Sequence, residues 1–339
     1  MPVLTYKEPD KEVDAVDIAV ELQEGVSVLE ALESQGARIP FSCRAGMCQS
    51  CMMQSDHPVP ASAQQGLSTS QIAQGCFLPC VCYPTDDLRV RMIGSSDQVQ
   101  GTVVAKKMLN TSVLSLSLQV DFRWFPGQFI TLWKDDTDGR AYSIASRCDE
   151  EKTLELHIKR HDQGTVSRWA HDDVSEGDML TVSTPLGDCF YTDEHHDKPI
   201  VMVGTGTGLA PLYGILQEAI HHQHSAPIYV YAASGDVSGL YYCDELIALA
   251  NEYEHIHYLP TVRRLSNDGI QAGHVIETEV IEGDVIDVVK ARHPDLKGHK
   301  IFLCGSPEVV KTMQRNCFFQ GATVSDILMD AFDMVIPTS

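Results

Sequence analysis

Long apolar runs are missing from this 339-residue chain. Its longest weakly polar stretch, Ile200 to Leu216, is broken by four glycines, two threonines and a proline, whereas a membrane-spanning helix needs about 20 predominantly apolar residues. Basic residues are scarce as well: 25 lysines and arginines stand against 47 aspartates and glutamates, for a net charge of -22. A surface this negative repels phosphates, which argues against sequence-independent nucleic-acid binding and against adhesion to anionic lipid. Without a basic, apolar, small-residue leader at the start, the eleven cysteines, an odd number, read as thiols of a reducing compartment and not as a disulfide framework. Internal repeats and long low-complexity tracts are absent too. A cytoplasmic, monomeric protein with neither a membrane nor a nucleic-acid partner is expected.

Four of the cysteines are arranged for electron transfer. Cys43, Cys48 and Cys51 stand as C-x4-C-x2-C, and further cysteines follow at Cys76, Cys80 and Cys82. That spacing is the plant-type pattern in which thiolates hold a [2Fe-2S] cluster. A structural zinc site usually pairs two C-x2-4-C elements, and only one side here has such a pair. Ala45, Gly46 and Ser50 keep the loop small, so backbone N–H groups can approach inorganic sulfide. The segment resembles ferredoxin domains. That resemblance puts the fourth ligand at Cys80, after Leu78-Pro79 and before a short strand, and leaves Cys76 and Cys82 as buried thiols.

Around the cysteines the pattern is α+β and β-grasp-like. Residues 12 to 20 alternate acidic and apolar, Ser27-Val28-Leu29-Glu30 is a capping box, and Gly36 ends the helix it starts. Acidic residues crowd positions 7 to 33, either as a solubilising face or as a docking patch for a basic partner. The expected domains are 1–93 for the iron-sulfur module, a linker at 94–100, an antiparallel β-barrel over 101–193 and an α/β doubly wound parallel sheet over 194–339. Short alternating runs such as Val113 to Val120 and Leu154 to Ile158 support the barrel. Buried runs at Ile200 to Val203, Ile228 to Ala232 and Ile301 to Cys304, with helical stretches at 211–221, 244–252 and 308–319, support the parallel sheet.

Two further motifs carry chemistry. In the barrel region Arg140-Ala141-Tyr142-Ser143 is followed by His157-Ile158-Lys159 and by Gly164-Thr165-Val166-Ser167. In the third region Gly204-Thr205-Gly206-Thr207-Gly208 leads through Leu209-Ala210 to Pro211, and Cys304-Gly305-Ser306-Pro307 comes later. Glycine-rich loops between strand and helix let amides approach a diphosphate, and Pro211 suits a first helical turn. The chain resembles the ferredoxin-NADP reductase superfamily, whose flavin motif is R-x-Y-[ST] and whose nucleotide loop is G-x-G-x-G-[IL]-A-P. That resemblance implies FAD, with Arg140 on its diphosphate, Tyr142 beside the ring system and Ser143 near flavin N5, and the turn at 164–167 aimed at the diphosphate. Lys159 stands where many relatives carry Arg. The resemblance also sets Cys304 at the nicotinamide and makes Phe332, near the end, the aromatic that covers the flavin.

Coenzyme choice follows from charge. A 2'-phosphate needs Arg or Lys after the second nucleotide strand, yet Ala233 to Ser238 offers none and includes Asp236. NADH is therefore expected, and Arg263 and Arg264 are the residues that could overturn this if they fold back. The order of modules resembles the reductases of multicomponent oxygenases, such as benzoate and anthranilate dioxygenase reductases. It implies an NADH-dependent oxidoreductase that passes electrons through FAD to the cluster and on to a terminal oxygenase or other redox protein acceptor. Hydride carries two electrons and the cluster takes one at a time, so a flavin must stand between them. A sugar-nucleotide deoxygenation reductase and a stand-alone NADH:acceptor oxidoreductase share these modules and are the alternatives.

Overall fold

The computed structural model describes residues 2–7, 18–37, 39–41, 43–46, 49, 51–93, 98–135, 138–265 and 279–332. Cys48, much of the early acidic run (Glu8, Asp10, Glu12, Asp14 and Asp17) and most of the expected linker lie outside the described residues. The chain divides into two units, residues 1–96 and 97–339. Among the described residues no helix is long and apolar enough to cross a membrane.

The first unit is a mixed five-stranded sheet. Its elements are β1 (Val3–Lys7), β2 (Ile18–Glu21), α1 (Val28–Ser34), β3 (Met53–Ser55), α2 (Thr69–Ala73), β4 (Cys76–Phe77) and β5 (Leu88–Met92). The strand order is β2-β1-β5-β3-β4, with β1 and β5 parallel and the other pairs antiparallel. α1 begins at the expected capping box: Ser27 Oγ accepts from the Glu30 N–H, and the Glu30 carboxylate accepts from the Ser27 N–H at 2.9 Å. Such a box satisfies two orphan donors at once. The helix buries Val28, Leu29, Ala31 and Leu32 against Leu4, Tyr6, Met53, Phe77 and Val90. Each large apolar side chain so buried contributes about 1.5–3 kcal/mol.

In the second unit the barrel comes first. Its strands are β6 (Gln98–Met108), β7 (Val113–Gln119), β8 (Phe129–Trp133), β9 (Gly139–Ser143), β10 (Thr153–Lys159) and, after α3 (Thr165–Asp172), β11 (Met179–Ser183). They form one antiparallel sheet, ordered β10-β7-β6-β11-β8-β9. The two edges meet through an antiparallel bridge between Ile144 and Leu156, which closes the barrel. Alternate residues on the strands, such as Leu154, Leu156 and Ile158, fill the interior.

The remaining elements are β12 (Ile200–Thr205), α4 (Leu209–His221), β13 (Ile228–Ser234), α5 (Cys243–Glu252), β14 (Ile256–Tyr258), β15 (Thr261–Val262), β16 (Ile281–Glu282), α6 (Val285–Arg292), β17 (Lys300–Gly305), α7 (Pro307–Phe319) and β18 (Ile327–Ala331). All their strand pairings are parallel, in the order β16-β15-β13-β12-β17-β18 with β14 beside β13. Period-2 alternation explains why both faces need helices. Ile200, Met202 and Phe302 pack with Leu212, Ile215 and Leu216 of α4, whereas Val201, Val203 and Leu303 pack with Val289 of α6 and Val310 and Met313 of α7. This is the doubly wound sheet the apolar runs imply. β13 lies on one side of β12 and β17 on the other, so the order reverses at β12, and the crevice at its carboxyl end is where such sheets bind ligands.

Candidate functional site

In the first unit the cysteine loop is shaped by its backbone. Arg44, Gly46 and Gln49 have φ of 52°, 72° and 57°, all in the left-handed region that bulky residues enter only when held there. This winding turns an amide inward: the Ala45 N–H donates to Cys43 Sγ at 3.4 Å. Cys51 and Cys80 are buried, with their sulfurs 3.4 Å apart. Two thiolates on one tetrahedral ion, with bonds of about 2.3 Å, would stand at roughly 3.8 Å, so a shared metal fits this pair. Burial pushes the Cys51 thiol up to about 11, and a ligated cation is what would hold it as thiolate.

Cys43 is exposed, and no three metal-ligating side chains gather among the described residues, which do not include Cys48. The structure corrects one expectation: Cys80 stands not beside a strand but inside a single 3-10 turn, Pro79–Val81, after β4. Cys76 and Cys82 are buried as expected, and burial pushes Cys82 up to about 12.

In the second unit the flavin motif occupies β9. Arg140 is half-buried with its guanidinium donating to Gly139 O, Ala141 is exposed, and burial pushes the Tyr142 phenol up to about 12. Ser143 is buried, and its hydroxyl donates to Asp330 Oδ2 on β18 at 2.6 Å. Burial raises the Asp330 carboxyl, and the Ser143 hydrogen bond opposes that shift. On β10 the Ile158 side chain is buried in the barrel core, His157 is buried against Tyr241 and Tyr242, and Lys159 is exposed.

Gly164 precedes α3 with no side-chain cap, which leaves the first-turn N–H groups of Thr165, Val166 and Ser167 for an anion. The Val166 side chain is buried in the barrel core, so only its backbone could serve a ligand. An uncapped helix start and the Arg140 guanidinium are the donor set a diphosphate needs, and to that extent these residues fit FAD.

At the switch point two loops press together, backbone on backbone. Gly206–Gly208 forms an uncapped 3-10 turn leading into α4, with Pro211 in its first turn. A Cβ on Gly208 would lie 2.2 Å from Cys304 O, and one on Gly305, whose φ is 114°, would lie 2.4 Å from Thr205 Oγ1. Only glycine permits that approach. Thr205 Oγ1 accepts from the Ser306 N–H at 2.8 Å, and Pro307 opens α7. Cys304 is buried with its sulfur 4.0 Å from that of Cys189. Phe332 lies just past β18, its N–H donating to Gly305 O at 2.8 Å.

The structure thus brings Ser143, Cys304, Gly305 and Phe332 to one edge of the nucleotide sheet and adds Asp330. Sequence reasoning passed over Asp330 because it stands only as a neighbour of the terminal aromatic. The chain brings the backbone of Arg263 and Arg264 back beside the coenzyme segment, an arrangement that weighs against NADH in favour of NADPH. Their N–H groups donate to Ser234 O and Gly235 O, while the Arg263 guanidinium is 3.9 Å from Asp284.

Three family models match in succession. Residues 11–85 match a 2Fe-2S iron-sulfur cluster binding domain, residues 100–191 an oxidoreductase FAD-binding domain and residues 202–315 an oxidoreductase NAD-binding domain. The naphthalene 1,2-dioxygenase system ferredoxin--NAD(P)(+) reductase component of Pseudomonas putida is 29% identical over 91% of this chain and 94% of its own length. The phenol hydroxylase P5 protein of Acinetobacter pittii is 24% identical over 95% and 94%. Among solved structures, a cytochrome P450 reductase of Amycolatopsis has a TM-score of 0.64 at 24% identity and covers 97% of this chain and 98% of its own, a likeness of fold.

Proposed function

Since the chain is a member of the ferredoxin-NADP reductase superfamily, with iron-sulfur, FAD and NAD modules in that order, we propose that it supplies electrons from NADH to the terminal component of a multicomponent oxygenase. Bound FAD would supply the conversion between a two-electron hydride and the single electrons an iron-sulfur cluster accepts. What the chain does is hold and orient. Arg140 and the start of α3 would take the flavin diphosphate, and the uncapped Gly206–Gly208 turn would take that of the dinucleotide. Ser143 presents a hydroxyl, held by Asp330, where hydride would arrive. Phe332, its N–H anchored on Gly305 O, would be the aromatic that covers a bound flavin. Cys43, Cys48, Cys51 and Cys80 would hold the cluster.

One observation carries the reading: the Ser143–Asp330 hydrogen bond joins the flavin-motif strand to the strand next to Cys304, so the two half-sites converge. The oxygenase partner is supported by the relatives, whose names place them in dioxygenase and hydroxylase systems. The test is a coupled assay with purified protein. NADH oxidation should be slow alone and rise at least about tenfold when an oxygenase component and its organic substrate are both supplied, as steered docking of redox partners predicts. Equal rates with and without any oxygenase, together with fast quinone reduction, would favour a stand-alone oxidoreductase.

A further inference from the structure

Away from Ser143 the barrel meets the nucleotide sheet a second time, and a carboxylate stands at the centre of that contact. Glu155 lies on β10 two residues before His157, and strand alternation turns both outward while Leu154, Leu156 and Ile158 fill the barrel. One oxygen of Glu155 accepts from Ser115 Oγ at 2.5 Å and Tyr242 Oη at 2.6 Å and lies 3.2 Å from His157 Nε2. His157 Nδ1 in turn lies 3.1 Å from Tyr241 Oη. Burial would push the Glu155 carboxyl up, but the hydrogen bond and charge of His157, with hydrogen bonds from Ser115 and Tyr242, outweigh it and hold the group at about 2.

Tyr242 closes the connection from β13 to α5, which begins with the segment up to Ser238 that offers no cation for a coenzyme 2'-phosphate. It has a φ of 56°, a left-handed conformation that a bulky residue adopts only when held there, and it starts α5 without a side-chain cap. Toward the other end Asp236 caps the turn Val237–Gly239, accepting from Ser238 Oγ at 2.6 Å and from the Gly239 N–H. Between these points Asn110, in the turn from β6 to β7, reaches Ser238 O at 3.4 Å and Leu240 O at 3.5 Å through its side-chain amide. The barrel therefore grips the coenzyme segment at Ser238, Leu240 and Tyr242.

We propose that Glu155, acting through Tyr242, is a positioning residue for the dinucleotide: the barrel sets the shape of the loop that receives the adenosine half, and a carboxylate that need not touch the coenzyme governs how tightly it binds. The inference rests on the NADH reading above. It distinguishes positioning from simple bracing, since a brace would alter stability and leave affinity alone.

Calorimetric titration of the holoenzyme with ADP, which carries the adenosine diphosphate half without nicotinamide, tests it. Tyr242→Phe removes one hydroxyl and keeps the ring. It should weaken ADP binding about tenfold, the value of one hydrogen bond to a charged acceptor. The KM for NADH should rise in step, while kcat with ferricyanide and the FAD content stay within about twofold, because Arg140, Tyr142 and Ser143 are unchanged and the ring that packs on His157 is kept. Glu155→Gln keeps an oxygen for Tyr242 and should bind ADP more tightly than Glu155→Ala. ADP affinity in Tyr242→Phe within twofold of the parent, whether or not its thermal midpoint falls, would overturn the proposal. A parent protein that neither binds ADP nor oxidises NADH would remove the underlying reading, and the inference with it.

Discussion

Cys51 and Cys80 in the first unit, and Cys189 and Cys304 in the second, are two pairs of thiols held 3.4 Å and 4.0 Å apart. All four are buried, and burial raises the thiol pKa of Cys51 to about 11 and that of Cys304 well above its ordinary value. The surroundings differ. Beside the first pair runs a loop with three left-handed residues and an amide turned onto Cys43 Sγ. Cys304 sits in β17 between β12 and β18, where the backbone amides are spent on the ladder, and its sulfur packs among apolar side chains. A thiol pair becomes a cluster site through the polar groups that can face sulfide, and through further ligands in reach; proximity of two sulfurs is not enough.

The largest effect expected from this contrast is at Cys80. Cys80→Ser should lower electron transfer to cytochrome c by about 100-fold or more, since even an outer-shell partner of a metal ligand is worth 10–100-fold. Ferricyanide, which takes electrons at the flavin, should be reduced at close to the parent rate. Cys82→Ser, two residues away and fully buried, should instead keep its iron and lose about 1–3 kcal/mol of stability through an unpartnered hydroxyl. Iron analysis of both variants decides: loss of iron from Cys82→Ser with retention in Cys80→Ser would reverse the ligand assignment.

A smaller effect separates the two units by pH. His195, His224 and His293, all in the second unit, are buried, and burial pushes each down to about 4. At His195 neutrality is built into the contact: the Thr192 N–H donates to Nδ1, which a protonated ring could not accept. The unfolded chain takes up these protons near pH 6.5, before the folded one does. The stabilisation is therefore fully present above that value and is lost as pH falls toward 4, by roughly 1 kcal/mol per histidine at pH 5.5. The only histidine of the first unit, His57, is exposed. Scanning calorimetry between pH 7 and 5 should show the midpoint of the second unit falling faster than that of the first; parallel shifts would refute the assignment.

Much of this was legible because it is local. The capping box at Ser27 and Glu30, the C-x4-C-x2-C spacing and the apolar runs that became β12, β13 and β17 each declare themselves within ten residues. What stayed hidden is contact over distance. Ser143 and Asp330 are 187 residues apart, and Tyr242 is 87 from Glu155. No period or spacing links such pairs; only the closing of the barrel and the winding of the sheet do. β15 and β16 are too short, at two residues each, for alternation to register. The resemblance to ferredoxin domains sets Cys80 before a short strand, yet Pro79 at the first position bends the segment into a 3-10 turn.

The smallest effect concerns charge at the cluster loop. Arg44 pairs with both carboxylate oxygens of Glu33, at 2.8 Å and 2.9 Å, and its guanidinium lies 3.9 Å from the centre of the Phe41 ring. Solvent reaches this pair, with side-chain exposures of 44% and 28%, so water screens the attraction. Exposed pairs contribute about 0.2–1 kcal/mol, and exposed cation–π contacts about 0.5–1 kcal/mol. The left-handed φ of Arg44 is retained by any L-residue at that place, so Arg44→Ala leaves the backbone strain as it was and reports the side chain alone. The expected loss is about 1 kcal/mol, shrinking in molar salt, with the coupling to Glu33→Gln in a double-mutant cycle below about 1 kcal/mol. A coupling above about 2 kcal/mol would mean that this ion pair, and not the sulfur ligands, organises the loop, and the contrast between the two thiol pairs would then rest on surface charge.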